Sequence, residues 1–216
     1  LIVGNAVPEA DQGMQMGRMI SLLALGIDTP GMIVNRYCGS GVETIAIASQ
    51  RIQAGQADII IAGGTESMSL VPVMGFKTAL NYTIAKDNPT YYTSMGLTAE
   101  EVSKQYKISR EEQDQFSYES HMKAAAAWKE GKFKDEVVPI TVKETYLDEN
   151  MKKKTREFVM ATDEGIRADT TVEGLSKLKP VFAVGGTVTA GNSSQTSDGA
   201  AFVAVMSERM VKQLNL

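Results

Sequence analysis

A single thiol, Cys38, stands in the run NRYCGSG, with Gly39 and Gly41 beside it and the strand-like segment GMIVNR before it. From Val42 onward the apolar residues Val42, Ile45, Ala46, Ile47, Ala48 and Ile52 describe a helix. A strand ending at Arg36 or Tyr37 and a helix beginning near Gly39 put Cys38 at a helix N-terminus. Unpaired N–H groups and the positive end of the helix dipole favour an anion there. Such surroundings lower a thiol pKa from about 8.5 to roughly 3.5–7.5, which makes thiolate available as a nucleophile at neutral pH. The glycines remove side chains from beside the sulfur, so the chain can turn sharply and a substrate can approach closely.

Two other readings stand beside this one. Free cysteine is commonly a small buried hydrophobe, and a glycine-bearing strand–turn–helix can cradle phosphate. The dinucleotide version of that cradle needs G-x-G-x-x-G and an acidic residue ending the next strand. Here the glycines run G-S-G-V-E-T and the next strand reaches Gly63 and Gly64, which weakens it.

The elements around the thiol read as α/β. LIV is a short strand closing at Gly4, MQMGRMISLLALG a helix stopping at Gly26, and ADIIIAGG a continuously apolar strand of the kind found in parallel sheets covered on both faces. The nearly encircling apolar surface of the helix after Cys38 predicts a buried helix. Charge then rises and the apolar runs shorten. Helices are expected at LTAEEVSKQYK and SREEQDQFSYESHMKAAAAWKEG, the second opened by a capping box of Ser109 and Glu112. DEVVPITVK and TREFVMATD read as strands. After LKPVF the α/β pattern returns as a turn, a short strand, a Gly/Ser-rich loop, an apolar strand and a helix. The segmentation is core (1–70), inserted α+β loop domain (71–180) and closing core (181–216).

The 216 residues, 43% hydrophobic, suffice for a sizeable core. Twenty-two basic against twenty-six acidic residues give a net charge of −4, which provides no general field for nucleic acid or an anionic membrane. One cysteine makes no internal disulfide and the apolar runs are too short to span a bilayer, so a cytoplasmic location is expected. The opening Leu-Ile-Val, without Met, reads as a strand already under way, and the chain is expected to be incomplete at both ends.

NRYCGSG, IQAGQADIIIAGGTESMS, MGLTAE, ISREEQDQFSYESHMKAA, GKFKDEVVPI, DEGIRADTTVEGLSKLKPVF and GTVTAGNSSQTSDGAA together resemble, in order and over nearly the whole chain, the N-terminal half of the thiolases, the acetyl-CoA acyltransferases. The details are most similar to the degradative 3-ketoacyl-CoA thiolases of fatty-acid β-oxidation, and acetoacetyl-CoA (biosynthetic) thiolases share most of these residues. The resemblance implies a mixed sheet sandwiched between helices, with the loop domain inserted. It implies that Cys38 carries the acyl group as a thioester and that its backbone N–H donates to the oxyanion. Ser194 would hydrogen-bond the pantetheine arm of CoA, with Ala190 and Phe182 against the same arm, Arg167 near the adenine and Met95 near the acyl group. Phe182 is equally readable as core. Departures from relatives fall at Ser94, where several carry His, and at Gly174, where some carry Ser. The sole histidine, His121, reads as structural or surface, and KKKTR at 152–156 as a solvated charge run.

The implied partners are acyl-CoA and CoA, with CoA as substrate and no cofactor, no metal, no nucleic acid and no membrane span. A homodimer or homotetramer is implied as well. The family's N-E-A-F, G-H-P and C-x-G-x-G motifs do not occur in these residues, so this chain by itself is not expected to turn over. Two rivals remain: a ketoacyl synthase acting on acyl-carrier partners, and a CoA-binding protein without turnover.

Overall fold

The computed structural model describes all 216 residues. By its internal contacts the chain forms two compact units, Leu1–Ile84 with Thr196–Leu216, and Ala85–Gln195. Where composition suggested divisions at 70 and 180, the contacts divide at 84 and 195, because the Gly/Ser-rich run through Gln195 bonds to residues of the second unit.

The first unit is built on a four-stranded sheet. Strand β1 (Ile2–Gly4) lies between β2 (Met32–Val34) and β3 (Ile59–Ser67), parallel to both, and β6 (Asp198–Met206) adds antiparallel to β3. Helix α1 (Met16–Ala24) joins β1 to β2, and α2 (Ser40–Gln53) joins β2 to β3. Helix α2 ends because Gly55 takes φ +70°, so the N–H of Gly55 reaches Ile52 O (3.0 Å) and that of Gln56 reaches Arg51 O (2.9 Å). The core seam holds Ile2, Ile60 and Ala62 of the sheet against Ala48 of α2, with Ile47, Ile52 and Val205 packed at its margin.

Within this chain the sheet buries only the Ser40, Thr44 and Ala48 side of α2, while Val42 is 76% exposed and Ile45 is exposed too. The sheet covers one side of the helix, and the apolar residues on its other side face outward. Strand β3 is likewise not covered throughout, since Ile59 is exposed and its β6 neighbour pairs antiparallel, which makes the sheet mixed.

Gly4 decides where α2 sits. A Cβ there would lie 2.8 Å from the Ser40 carbonyl carbon and 2.9 Å from Ser40 Cβ, so only glycine lets the first turn of α2 rest on the end of β1.

After the short helix α3 (Tyr82–Asp87), the second unit holds α4 (Met95–Tyr106), α5 (Arg110–Lys129), the hairpin β4 (Ile140–Leu147) and β5 (Lys153–Met160), and α6 (Val172–Ser176). The capping box forms: Glu112 N–H donates to Ser109 Oγ (3.1 Å) and Ser109 N–H to Glu112 Oε2 (2.7 Å). Strand boundaries move from the expected ones because pairing sets them. Ile140 to Leu147 pairs with Met160 to Lys153, which draws Lys153, Lys154 and Arg156 of the charge run into β5. The short strand expected near Thr187–Ala190 is a single bridge between Pro180 and Thr189, and side chains shape that segment instead. The last helix, α7 (Glu208–Leu214), follows β6. No helix is long and apolar enough to cross a membrane.

Candidate active site

The thiol sits where β2 gives way to α2. Cys38 is exposed and immediately precedes Gly39, the N-cap residue of α2. The turn around it is sharp: Tyr37 adopts φ +47°, a left-handed conformation that costs a bulky residue roughly 1–3 kcal/mol unless its surroundings enforce it. Several bonds do so. Gly39 N–H donates to Arg36 O (3.1 Å) and Ser40 N–H to Tyr37 O (3.0 Å). Ser40 Oγ donates to Tyr37 O (2.6 Å) and accepts from Arg36 N–H (2.8 Å). Tyr37 N–H donates to Asn35 Oδ1 (3.0 Å). None of the hydrogen bonds of this turn is donated by the Cys38 N–H. Farther along α2, buried Thr44 satisfies its hydroxyl on Gly41 O (2.7 Å) and Gly63 O (3.2 Å).

The second unit contains a cavity of about 920 Å³ whose wall includes Arg167, Ala190 and Ser194. Helix α5 supplies one side of it: Phe116, Ser117, Ser120, His121 and Ala124 fall on one face at helical spacing. His121 Nδ1 accepts from the Arg167 N–H (3.2 Å), so the lone histidine, read from sequence as structural or surface, both lines the cavity and holds the Arg167 segment. Met95 lines a separate cavity of about 410 Å³ with Val102, Ile108 and Val188. The Phe182 ring lies so close to Gly96, the residue after Met95, that any side chain at 96 would strike it.

A polar framework shapes the loop that carries Ala190 and Ser194. Asp114, 1% exposed, accepts from Arg110 Nε (2.7 Å) and Asn192 Nδ2 (3.0 Å). Arg110 also donates to the carbonyls of Leu175 (2.7 Å) and Leu178 (3.0 Å), and Asn192 Oδ1 accepts from Thr189 N–H (2.7 Å). The other end of the loop is held by Glu100, which accepts from Thr187 N–H (2.9 Å), Val188 N–H (2.9 Å) and Thr187 Oγ1 (3.2 Å).

Partial burial pushes the Glu100 carboxyl up, but its three donors outweigh that and hold it below its ordinary value of 4.5. A carboxylate depressed in the folded state contributes stability above its unfolded pKa and loses it as pH falls through the folded pKa. Melting followed from pH 7 to 3 is therefore expected to show the Glu100→Gln variant losing less stability below about pH 4.5 than the parent. Parallel curves for the two would contradict this.

The pattern described as "Thiolase, N-terminal domain" matches residues 1–209. This chain belongs to the thiolase family. It is 52% identical over its whole length to a 3-ketoacyl-CoA thiolase of Bacillus subtilis (strain 168), covering 56% of that protein. It is 40% identical to a probable acetyl-CoA acetyltransferase of Mycobacterium leprae (strain TN) and 41% identical to a beta-ketoadipyl-CoA thiolase of Acinetobacter baylyi, again over the whole chain and 56% of each relative. The thiolase chain described here thus spans a little over half the length of these curated relatives.

The thiolase residues named from sequence are distributed between the two units: Cys38 in the first, and Met95, Arg167, Phe182, Ala190 and Ser194 in the second. Arg167, Ala190 and Ser194 share one cavity, while Met95 lines another and Phe182 packs on Gly96 beside it in sequence. Sequence reasoning passed over the cavity-facing side of α5, although the i, i+4, i+5 spacing of Phe116, Ser120 and His121 was there to be read.

Proposed function

We propose that the protein carrying this chain is a thiolase that cleaves 3-ketoacyl-CoA with CoA, of the degradative, fatty-acid β-oxidation type. The Cys38 thiolate attacks the 3-keto carbonyl and the C2–C3 bond breaks. Its electron pair departs with the acetyl-CoA fragment, which takes a proton at carbon, and the shortened acyl chain stays on Cys38 as a thioester. The thiol of a second CoA then attacks that thioester and gives up its proton, which balances the one taken up by the acetyl fragment, releasing the shortened acyl-CoA and returning the thiolate. Division into two displacements is what a covalent nucleophile contributes, and the free Cys38 N–H would stabilise the oxyanion of the thioester step. The observation that carries the reading is the exposed thiol on a strained turn whose adjacent N–H is unspent.

In this reading Arg167 lies against the adenine, Ser194 and Ala190 hold the pantetheine arm, and Met95 and Phe182 line the acyl and pantetheine wall. CoA is a substrate, and no metal or other cofactor takes part. A homodimer or homotetramer in the cytoplasm completes the proposal, supported by exposed Met19, Leu22 and Leu23 on α1. The biosynthetic alternative, acting on acetoacetyl-CoA, is favoured by the relative named an acetyl-CoA acetyltransferase.

The test assays the complete protein for CoA-dependent cleavage of short and long 3-ketoacyl-CoA substrates, beside an Arg167→Ala variant. Cleavage of long chains is expected, with the variant raising the KM for CoA about tenfold, the loss of one charge-assisted or stacking contact. Activity on acetoacetyl-CoA alone would establish the alternative. Binding of CoA with neither cleavage nor a Cys38 thioester would reduce the protein to a binding module.

A further inference from the structure

The strained peptide before Cys38 is restrained on two sides. On the helix side Ser40 binds Tyr37 O through both its N–H and its hydroxyl. On the strand side a single side chain acts. Asn35 Oδ1 accepts from Tyr37 N–H (3.0 Å), and Asn35 Nδ2 donates to Ala6 O (3.1 Å). A flipped amide would set donor against donor and acceptor against acceptor, so only an uncharged amide satisfies both neighbours.

Ala6 is itself clamped. Its N–H donates to Glu66 Oε2 (2.8 Å), while Glu66 Oε1 accepts from Asn5 Nδ2 (2.9 Å) and from Gln12 Nε2 (2.8 Å). Gln12 is buried, and its own carbonyl oxygen accepts from Ser67 N–H (2.5 Å). Glu66 and Ser67 end β3, so the loop after β1 is fixed to the end of the neighbouring strand. Through Asn35 that rigid loop reaches the peptide adjoining the thiol.

We propose that Asn35 is a positioning residue for Cys38. By tying the Tyr37 peptide to the loop that Glu66 clamps, it holds φ of Tyr37 positive and so fixes the direction in which the Cys38 sulfur and N–H point. The inference rests on reading Cys38 as the acylated nucleophile. It gives a role to the linkage that joins exposed Asn35 through Ala6 to a carboxylate on another strand.

The experiment follows acetylation of Cys38 by acetyl-CoA in the complete protein, by rapid quench and intact-protein mass spectrometry, over a range of acetyl-CoA concentrations. Asn35→Ala is expected to lower the limiting acylation rate about 10- to 100-fold, the loss a small misplacement of a reacting group produces. The half-saturating acetyl-CoA concentration should stay within about twofold, and the melting temperature should fall only about 2–4 °C, as for the loss of two exposed hydrogen bonds that are each at the weak end of the range. Asn35→Asp keeps an acceptor for Tyr37 N–H but sets an oxygen against Ala6 O, and its rate should lie between those of the parent and Asn35→Ala.

An Asn35→Ala rate within twofold of the parent overturns the proposal, and so does a slowing matched by a rise in the half-saturating concentration. Should Asn35→Ala not fold, Asn35→Asp decides: slowing at unchanged half-saturation supports the role, and a parental rate ends it. Failure of the parent protein itself to form the thioester is a distinct result, and it removes the functional reading rather than the role of Asn35 within it.

Discussion

Cys38→Ser in the complete protein is expected to abolish the acyl-enzyme and to lower the rate of 3-ketoacyl-CoA cleavage by about 10³-fold or more, while CoA binding stays within about twofold. A thiol sulfur is intrinsically the strongest nucleophile among the side chains of the β2–α2 turn. A hydroxyl in its place remains protonated and has no neighbouring base in this turn, where the adjacent side chains are Arg36, Tyr37 and Ser40. The substitution is nearly isosteric at an exposed position, so the fold has no reason to respond. Intact mass after exposure to acetyl-CoA reads the first effect, and calorimetric CoA titration reads the second. An acetyl adduct persisting on Cys38→Ser, or cleavage continuing at more than a few per cent of the parental rate, would place the chemistry elsewhere.

Asp114→Ala has the largest expected effect on stability. Its carboxylate is almost wholly buried and bonds to both Arg110 and Asn192. Deleting one member of a buried ion pair leaves the other charge without compensation, which costs about 3–5 kcal/mol. Here the damage would extend to function, because Asn192 shapes the loop bearing Ala190 and Ser194. Hydrogen exchange should show residues 187–195 losing protection first, with CoA affinity falling alongside. Asp114→Asn retains an acceptor for Arg110 without the charge and should cost less. Unchanged exchange in 187–195 for Asp114→Ala would mean that this framework does not hold the loop.

Local signals made much of the framework legible. The capping box at Ser109 and Glu112 and the strand ADIIIAGG each declare themselves within a few residues. The elbow at Cys38 was readable for the same reason: a lone thiol between a strand and a helix, beside two glycines, has few uses. Legibility ends where the answer lies in distant partners. Apolar residues nearly encircle the helix after Cys38, and composition alone does not say that within this chain the sheet meets only the Ser40, Thr44 and Ala48 side. KKKTR reads as a solvated charge run and is exposed, and what its composition does not carry is that Lys153, Lys154 and Arg156 stand in a strand with Leu147, Tyr146 and Glu144 opposite.

Chain order and residue type, then, were enough to single out Cys38 as the candidate nucleophile, to place the chain in its family and to give most of the succession of helices and strands, since these rest on side-chain chemistry and spacings of a few residues. They were silent on the union of Glu66, Ala6 and Asn35 behind Cys38, on the arrival of Asp114 and Asn192 at one buried point, and on His121 reaching Arg167. Those meetings join residues from 29 to 78 positions apart. A hydrogen bond between such partners depends on how sheet and helices pack, and no short window of sequence carries that geometry.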